Sequence, residues 1–307
     1  MSSKTKISKA EQEYWRPAVE QIRQDSEHGS LHLSNQALAL VEEFIQRRLY
    51  RNRTELIQAL SKLSNALVRA KPLMALIYTR TRRVLHFIQT IPKEEKDIER
   101  IRTLALEEVE RIRRETEEHL KTVARLGARL ILDGHVVLTH SASSMVESVF
   151  QFARKNRKKF KVICTESRPL GEGRELAVRL ARIGIKTTLI PDADICRALE
   201  TAHFAYLGTD RFTENTFVNK TGSHAISLVA KNLNKPVYVV GLSDKILLKR
   251  TYPCRYLPAP AEELIPQNIP NLAVQNLYFE ETPIELVDKV IIENGVFELK
   301  EFCDRYL

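Results

Sequence analysis

Two short polar stretches combine residue types that could bind an anion or transfer a proton. The segments "THSASS" (139–144) and "GTDRFTENTFVNKTGS" (208–223) each follow a run of apolar residues. The second contains Asp210, whose carboxylate could act as a general acid or base, bind sugar hydroxyls, or pair with a neighbouring cation. It ends at Gly222 and Ser223, directly before "HAISLVAK". Free backbone N–H groups at such a helix start could hold an anion.

Five β-branched runs, separated by helical segments, must position these residues. The runs cover residues 135–140, 160–166, 185–191, 204–209 and 236–242. The segments between them can form crossover helices, as a parallel sheet requires. Each run is nearly continuously apolar, which is typical of strands covered on both faces. The sequence therefore predicts an α/β fold, with a Rossmann-like doubly wound parallel sheet domain over residues 126–307.

The first third of the chain carries a different, helical pattern. Apolar residues recur at spacings of three and four over 35–70, and again after Pro72. A charged amphipathic stretch, "PKEEKDIERIRTLALEEVERIRRETEEHLKTVARLGARLI", then predicts one long helix. We therefore expect a helical N-terminal domain over residues 1–125, with the boundary in or at the end of the long helix.

The carboxyl ends of the five predicted strands are where a ligand should bind. All five are followed by polar loops, and loops at the carboxyl ends of parallel strands converge on one edge of the sheet. Ordinary turn chemistry also explains Gly, Ser and Asp in these loops. Four cations in the loops make the binding hypothesis stronger, because cations and helix N-termini suit phosphate. These cations are Arg168, Arg174, Arg211 and Lys220.

Several of these residues have a simple structural alternative. Ser143 or Ser144 could be a helix N-cap. A lone His140 at a strand end is more often structural than catalytic. Cys164 lies within an apolar strand, which predicts a buried, inert thiol. Neither a Gly-rich dinucleotide motif nor a P-loop is present, so the sequence favours neither a nicotinamide cofactor nor a P-loop nucleotide.

The composition is that of an ordinary globular protein. Of the 307 residues 43% are hydrophobic, the four cysteines are far apart, and no apolar run is long enough to span a membrane. We expect a cytoplasmic protein without a metal site, a cofactor or a membrane segment. The formal charge is +9, with basic clusters at 153–161 and 77–87. These clusters are either solvated surface or contacts for nucleic acid, phosphorylated small molecules or an acidic partner.

Four motifs, in this order and at this spacing, resemble one protein family. They are "LTHSASS", "TESRPLGEGRELA", "GTDRFTENTFVNKTGSHAISLVAKNLNKPVYVVG" and "NLYFEETPIELVDKVIIENGVF". The family contains the alpha, beta and delta regulatory subunits of the exchange factor for eukaryotic translation initiation factor two. It also contains methylthioribose-1-phosphate isomerase and ribose-1,5-bisphosphate isomerase. The chain looks like a prokaryotic-type member.

The resemblance implies a helical domain, a Rossmann-like domain, a pocket between them for a phosphorylated sugar or nucleotide, and homodimers or higher homo-oligomers. In the isomerases a Cys and an Asp transfer the proton. The Asp matches Asp210, whereas Ser141 stands at the Cys position. The isomerases' early "R-G-A" element has no match here. The resemblance and the strand-end positions together predict these ligand-binding residues: His140, Ser141, Arg168, Glu172, Gly173, Arg174, Asp210, Asn219, Lys220, Gly222 and Ser223.

Three functions remain open from the sequence. The first is a non-catalytic regulatory protein that binds a phosphorylated sugar or nucleotide. The second is an aldose-phosphate isomerase with altered catalytic residues, in which Asp210 and Ser141 would act. The third is an assembly partner, for example of a translation factor, with a vestigial pocket. Because a serine hydroxyl is a far weaker acid than a thiol, loss of the Cys favours binding without turnover.

Overall fold

The computed structural model describes residues 9–47 and 50–307. It forms two compact units, one up to Thr116 and one from Glu117 to Leu307. Residues 1–8, where the predicted N-terminal domain begins, lie outside the described residues.

The first unit is helical, as predicted. Its helices are α1 (Lys9–Gln24), α2 (Ser30–Gln46), α3 (Arg53–Ala70), α4 (Ala75–Thr90) and the start of α5 (Ile98–Leu130). The Asn52 side chain caps α3 by accepting a hydrogen bond from the backbone N–H of Glu55 at 3.0 Å. The apolar stripes pack inward, and the buried side chains include Leu33, Phe44, Leu56, Leu63, Ile77 and Val84.

Helix α5 is the long amphipathic helix that the sequence predicted. The division between the two units, Thr116–Glu117, falls inside it. The boundary predicted near residue 125 lies in the same helix.

The second unit is built on a seven-stranded sheet with the order β10-β9-β7-β4-β1-β2-β3, in which only β10 is antiparallel to its neighbour. A second sheet has the order β5-β6-β8. The strands are β1 (Val136–His140), β2 (Lys161–Thr165), β3 (Lys186–Ile190), β4 (Phe204–Gly208), β5 (Arg211–Phe212), β6 (Thr216–Lys220), β7 (Val237–Val240), β8 (Phe279–Pro283), β9 (Lys289–Ile292) and β10 (Gly295–Glu298). The helices are α6 (Ser144–Lys155), α7 (Glu172–Arg182), α8 (Ile195–Thr201), α9 (Ser223–Asn232) and α10 (Leu299–Tyr306).

All five predicted strands are present, as β1, β2, β3, β4 and β7, but two details of the prediction are wrong. Strand β3 is not covered on both faces: it is an edge strand that pairs only with β2, and Leu189 is 47% exposed. The stretch after β4 is not one loop, because 211–220 forms the antiparallel hairpin β5–β6. Its strand residues pair with each other and with β8, which the sequence analysis did not predict.

The strand order indicates where a ligand can bind at the end of the sheet. From β1 the chain proceeds outward through β2 and β3, and it then returns to the other side of β1 with β4 and β7. The direction therefore reverses between β1 and β4. In open parallel sheets this switch point is the usual ligand site, at the carboxyl ends of the strands.

Within the described residues, every helix is too short or too polar to cross a bilayer.

Candidate functional site

Ser141 directly follows β1 and has a left-handed backbone, with φ +67°. Such a conformation is uncommon for a residue other than glycine and needs support from its surroundings. Its backbone N–H donates to Ser167 Oγ at 2.7 Å, and its own hydroxyl donates to Glu172 Oε1 at 2.9 Å. The Ser141 side chain is therefore held in one orientation by residues after β2.

Glu172 and Lys220 form an ion pair beside Ser141. Lys220 Nζ lies 3.1 Å from Glu172 Oε1, and the lysine side chain is 3% exposed. The second carboxylate oxygen, Glu172 Oε2, is buried and accepts no hydrogen bond from any described residue. A buried acceptor without a donor is costly, so this oxygen is suited to receive a hydroxyl from a ligand.

His140 ends β1 and is fully engaged with protein groups. Its Nε2 lies 2.8 Å from the Thr221 carbonyl oxygen, and its Nδ1 lies 2.6 Å from Thr165 Oγ1. Burial lowers the pKa of His140, so the ring is neutral, with Nε2 as the donor. Neither ring nitrogen is left for a ligand. The residue positions the loop before α9 instead of contacting a ligand itself.

The start of α9 does not offer the free N–H groups that the sequence suggested. The Glu280 carboxylate oxygen Oε1 accepts from the backbone N–H groups of Gly222 and His224, each at 2.8 Å. A protein carboxylate thus fills the position proposed for an external anion. Gly222 is required here for two reasons: its φ is +112°, and an added Cβ would lie 2.9 Å from the His140 ring.

Asp210 follows β4 and lies next to a lysine that the sequence analysis missed. Its side chain is 14% exposed, and Lys245 Nζ lies 4.0 Å from its Oδ1. The Lys245 ammonium also donates to the Thr209 carbonyl oxygen. Asp210 therefore pairs with neither Arg211 nor Lys220, the two partners considered from the sequence.

Asn219 and Ser223 link the end of β6 to α9. Asn219 Nδ2 donates to Ser223 Oγ at 2.8 Å, and Ser223 Oγ donates to the Lys220 carbonyl oxygen at 2.7 Å. Ser223 is completely buried and Asn219 is 5% exposed. These contacts fix the backbone that carries Lys220.

The three arginines predicted to line the site differ in their surroundings. Arg211 is not available to a ligand, because it is fully buried and its guanidinium donates to the Leu247 and Tyr252 carbonyl oxygens. Arg174 is paired with Glu166, and its side chain is 56% exposed. Arg168 is exposed, and its backbone N–H is held by Asp192 at 2.7 Å. Of the three predicted arginines, Arg168 and Arg174 are the two whose side chains are exposed at this edge, and Arg168 Nη2 donates to the Glu263 carbonyl oxygen at 3.4 Å.

Gly173 and Ser143 have local structural roles. An added Cβ at Gly173 would lie 1.9 Å from the Thr165 carbonyl oxygen, so only glycine allows α7 to approach β2 this closely. Ser143 is the N-cap of α6, as predicted, and its side chain accepts from the Val146 N–H. Cys164 is buried, which raises the pKa of its thiol to about 12 and makes it inert at neutral pH.

A possible metal-ligating group lies outside this site, in the first unit. Among the described residues, Asp25, His28 and His32 place ligand atoms within 4.8 Å of one another. His28 Nδ1 is already 2.9 Å from Asp25 Oδ2, and both histidines are exposed. This is also the geometry of an ordinary surface ion pair, and it has no connection to the strand ends.

The segments that follow β1, β2 and β4 and the end of β6 present a hydroxyl, an ion pair and a second carboxylate. Sequence reasoning missed Ser167, Lys245 and Glu280. Ser167 and Lys245 lie in loops that the strand-end rule had selected. No local sequence pattern indicated Glu280, because it lies in β8, 58 residues after Gly222 in the chain.

Known proteins are similar to this chain in sequence and in fold. Residues 26–299 match the initiation factor 2 subunit family. A putative translation initiation factor eIF-2B subunit 2-like protein of Pyrococcus horikoshii is 33% identical over 78% of this chain and 80% of its own. Ribose 1,5-bisphosphate isomerase of Archaeoglobus fulgidus is 32% identical over 57% of this chain and 58% of its own.

A solved structure agrees with these matches. The crystal structure of the Pyrococcus horikoshii translation initiation factor eIF-2B superposes with a TM-score of 0.78, at 25% identity, over 95% of this chain and 98% of the other. The structural match covers both the helical region and the parallel sheet. The family match over residues 26–299 contains the four motifs that carry the resemblance. The chain belongs to the initiation factor 2 subunit family.

Proposed function

We propose that this chain is a non-catalytic regulatory or sensor protein that binds a phosphorylated sugar or nucleotide at the carboxyl ends of β1 and β4. Relatives in the family carry names of both kinds, initiation factor subunits and sugar-phosphate isomerases. The choice between the two therefore depends on the residues of the site.

The observation that carries the proposal is the pairing of Ser141 with Glu172. The resemblance places the isomerases' cysteine at this position, where a thiol can be tuned to transfer a proton. A serine hydroxyl cannot be ionised near neutral pH, and this one already donates to a carboxylate that pairs with Lys220. Hydrogen-bonding capacity for a ligand remains in Glu172 Oε2, whereas the acid–base capacity is reduced.

A thermal-shift screen tests binding. The compounds are ribose 1,5-bisphosphate, methylthioribose 1-phosphate, AMP and hexose phosphates. At 100 times the dissociation constant, a ligand should raise the free energy of unfolding by ~2.7 kcal/mol. Product analysis by NMR should then show no ketose from the compound that binds.

Two variants make the test specific. Glu172→Gln should reduce the shift, because it alters the buried carboxylate. The matched control is Glu175→Gln on the same helix, whose side chain is 78% exposed, and it should leave the shift unchanged. Equal effects of both variants, or no shift with any compound, would contradict the proposal.

The alternative, an aldose-phosphate isomerase, is supported by Asp210. Its carboxylate lies at the strand end beside the Lys245 ammonium, where it could accept a substrate proton. If this alternative is correct, ketose forms in the product assay, and Asp210→Asn abolishes it. If ketose formation appears only after Ser141→Cys, the loss of the cysteine explains the absence of turnover.

A third possibility is an assembly partner in which the pocket is vestigial. The proposed regulatory function includes a homodimer or higher homo-oligomer and a translation-related protein partner in the cytoplasm. Analytical ultracentrifugation of the full chain measures the oligomeric state. A stable partner in pull-down experiments, together with no thermal shift from any phosphorylated compound, would favour this third function.

A further inference from the structure

The basic segment 153–161 lies at the opposite edge of the sheet from the candidate site. A cavity of about 380 Å³ opens there, at the amino ends of β2 and β3. Four lysines and one arginine are among its lining residues: Arg154, Lys158, Lys159, Lys161 and Lys186. Because β2 and β3 are five residues long, the cavity at their amino ends lies roughly 15 Å from their carboxyl ends.

Two of these cations have structural tasks. Lys158 Nζ donates to the Ala128 carbonyl oxygen at 2.7 Å and also to that of Ile131, at the end of α5. Arg154 Nε donates to the Ile183 carbonyl oxygen, after α7, at 3.3 Å. Cations at helix C-termini stabilise the helix dipole, so these two residues need no ligand to explain them.

The remaining three lysines have no such explanation. Lys161 and Lys186 are direct register partners at the first positions of β2 and β3, and like charges in that arrangement repel. Neither they nor Lys159 form an ion pair with any carboxylate in the described part of the chain. The nearby acid, Asp133, is engaged by its Oδ1 with the Lys159 backbone N–H at 2.7 Å. An uncompensated lysine pair beside a cavity is a feature that a bound anion would relieve.

We propose that this cavity is a second anion-binding site, which takes a compact ligand with several phosphate groups. Lysine ammonium groups are strongly hydrated point charges that bind phosphate oxygens through charge-assisted hydrogen bonds. The one aromatic lining residue, Phe160, is 6% exposed, so it offers no surface on which bases could stack. The site therefore suits a small polyphosphate better than an extended nucleic acid.

Lysine footprinting of the full chain tests the site directly, with tripolyphosphate as the probe. Acetylation rates are measured by mass spectrometry, with sodium chloride added to the reference to match the ionic strength. Lys161 and Lys186 should react about fivefold more slowly when the probe is several times above its dissociation constant. Lys231 and Lys300 are exposed lysines elsewhere in the same unit, and their rates should stay unchanged.

A pair of double variants supplies the matched control. Lys161→Gln with Lys186→Gln should weaken tripolyphosphate binding at this site about tenfold or more, since each lost charge-assisted hydrogen bond is worth about that factor. Lys231→Gln with Lys300→Gln changes the net charge equally and should have no effect. In the variant without Lys161 and Lys186, acetylation of Lys159, which also lines the cavity, reports the binding, so that binding of the probe near Glu172 and Lys220 does not affect the result.

Three outcomes would overturn the site. The first is unchanged acetylation of Lys161 and Lys186, and the second is equal slowing at Lys231 and Lys300, which would indicate general charge screening. The third is protection by a single-stranded RNA 20-mer but not by tripolyphosphate, which would indicate a nucleic-acid surface instead.

Discussion

Arg211 and Lys220 are two buried cations in adjacent strands of one small sheet, yet their surroundings differ completely. Arg211 in β5 donates to the carbonyl oxygens of Leu247 and Tyr252, and thereby holds the segment after β7. Lys220 in β6 faces Glu172, whose other oxygen is left without a donor. A buried cation that donates to backbone carbonyls stabilises the fold, and of the Arg211 nitrogens Nη1 alone is buried without a hydrogen-bond partner among the described residues. One that shares a carboxylate with open capacity can also respond to a ligand.

Arg211→Met tests this difference and should cause the largest loss of stability among the variants discussed below. The change removes the guanidinium donors from the Leu247 and Tyr252 carbonyl oxygens, and hydrogen bonds to a charged group are worth about 1.5–3 kcal/mol each, so we expect a loss of about 4 kcal/mol in the free energy of unfolding. Chemical denaturation measures it, with the exposed Arg250→Met as control. Unchanged stability combined with lost ligand binding would make Arg211 a ligand group.

Gly222→Ala tests the backbone that follows Lys220. The alanine would have to adopt φ +112° and place its Cβ 2.9 Å from the His140 ring. Gly134→Ala is the matched control, because Gly134 has φ +86° and nothing within 4 Å of an added Cβ. We expect a loss of about 1 kcal/mol for the control and about 2 kcal/mol more for Gly222→Ala. Equal losses in denaturation experiments would show that the His140 contact is unimportant.

A double-mutant cycle on Lys220 and Glu172 separates the contribution of their ion pair to folding from its contribution to ligand binding. Lys220→Met alone leaves a buried carboxylate unpaired, whereas Lys220→Met with Glu172→Gln removes both charges. We expect a coupling energy of about 1.5 kcal/mol in unfolding, with stability largely recovered in the double variant. The thermal shift from a phosphorylated ligand should not recover. If it does recover, the ion pair contributes only to folding.

The smallest expected effect concerns pH and His140. Burial lowers the pKa of His140 in the folded chain, so below pH ~6.5 the unfolded chain binds the proton first. The free energy of unfolding should therefore fall as the pH is lowered, by about 1 kcal/mol from pH 7.5 to 5.5. His140→Gln should lack this component. A pH dependence identical in both proteins would show that His140 is not the titrating group.

Local patterns in the sequence were sufficient for much of the fold. The five β-branched runs form strands of one sheet. The N-cap at Ser143 could be predicted because a serine precedes the helical segment. The edge position of β3 could not be read from its own residues, since it depends on which strands come to lie beside it.

The site was harder to predict than the fold. The strand-end rule selected the loops that carry Ser141, Glu172 and Lys220, but residue type alone did not distinguish Arg211 from Lys220, because both are cations beside polar residues. Their roles depend on distant partners: Leu247 for the arginine and Glu172 for the lysine. The anion position at α9 was filled by Glu280, from another strand, which no local pattern indicated.

The contacts of His140 and Glu280 also determine when the site can form during synthesis. His140 bonds to groups 25 and 81 residues further along the chain, and the Gly222 N–H donates to Glu280, 58 residues away. Such long-range closures form late in folding. A nascent chain that has not yet reached Glu280 lacks the cap of α9, so the loop carrying Lys220 is incomplete. Ligand binding at Glu172 would then be restricted to chains whose second unit has been almost fully synthesised.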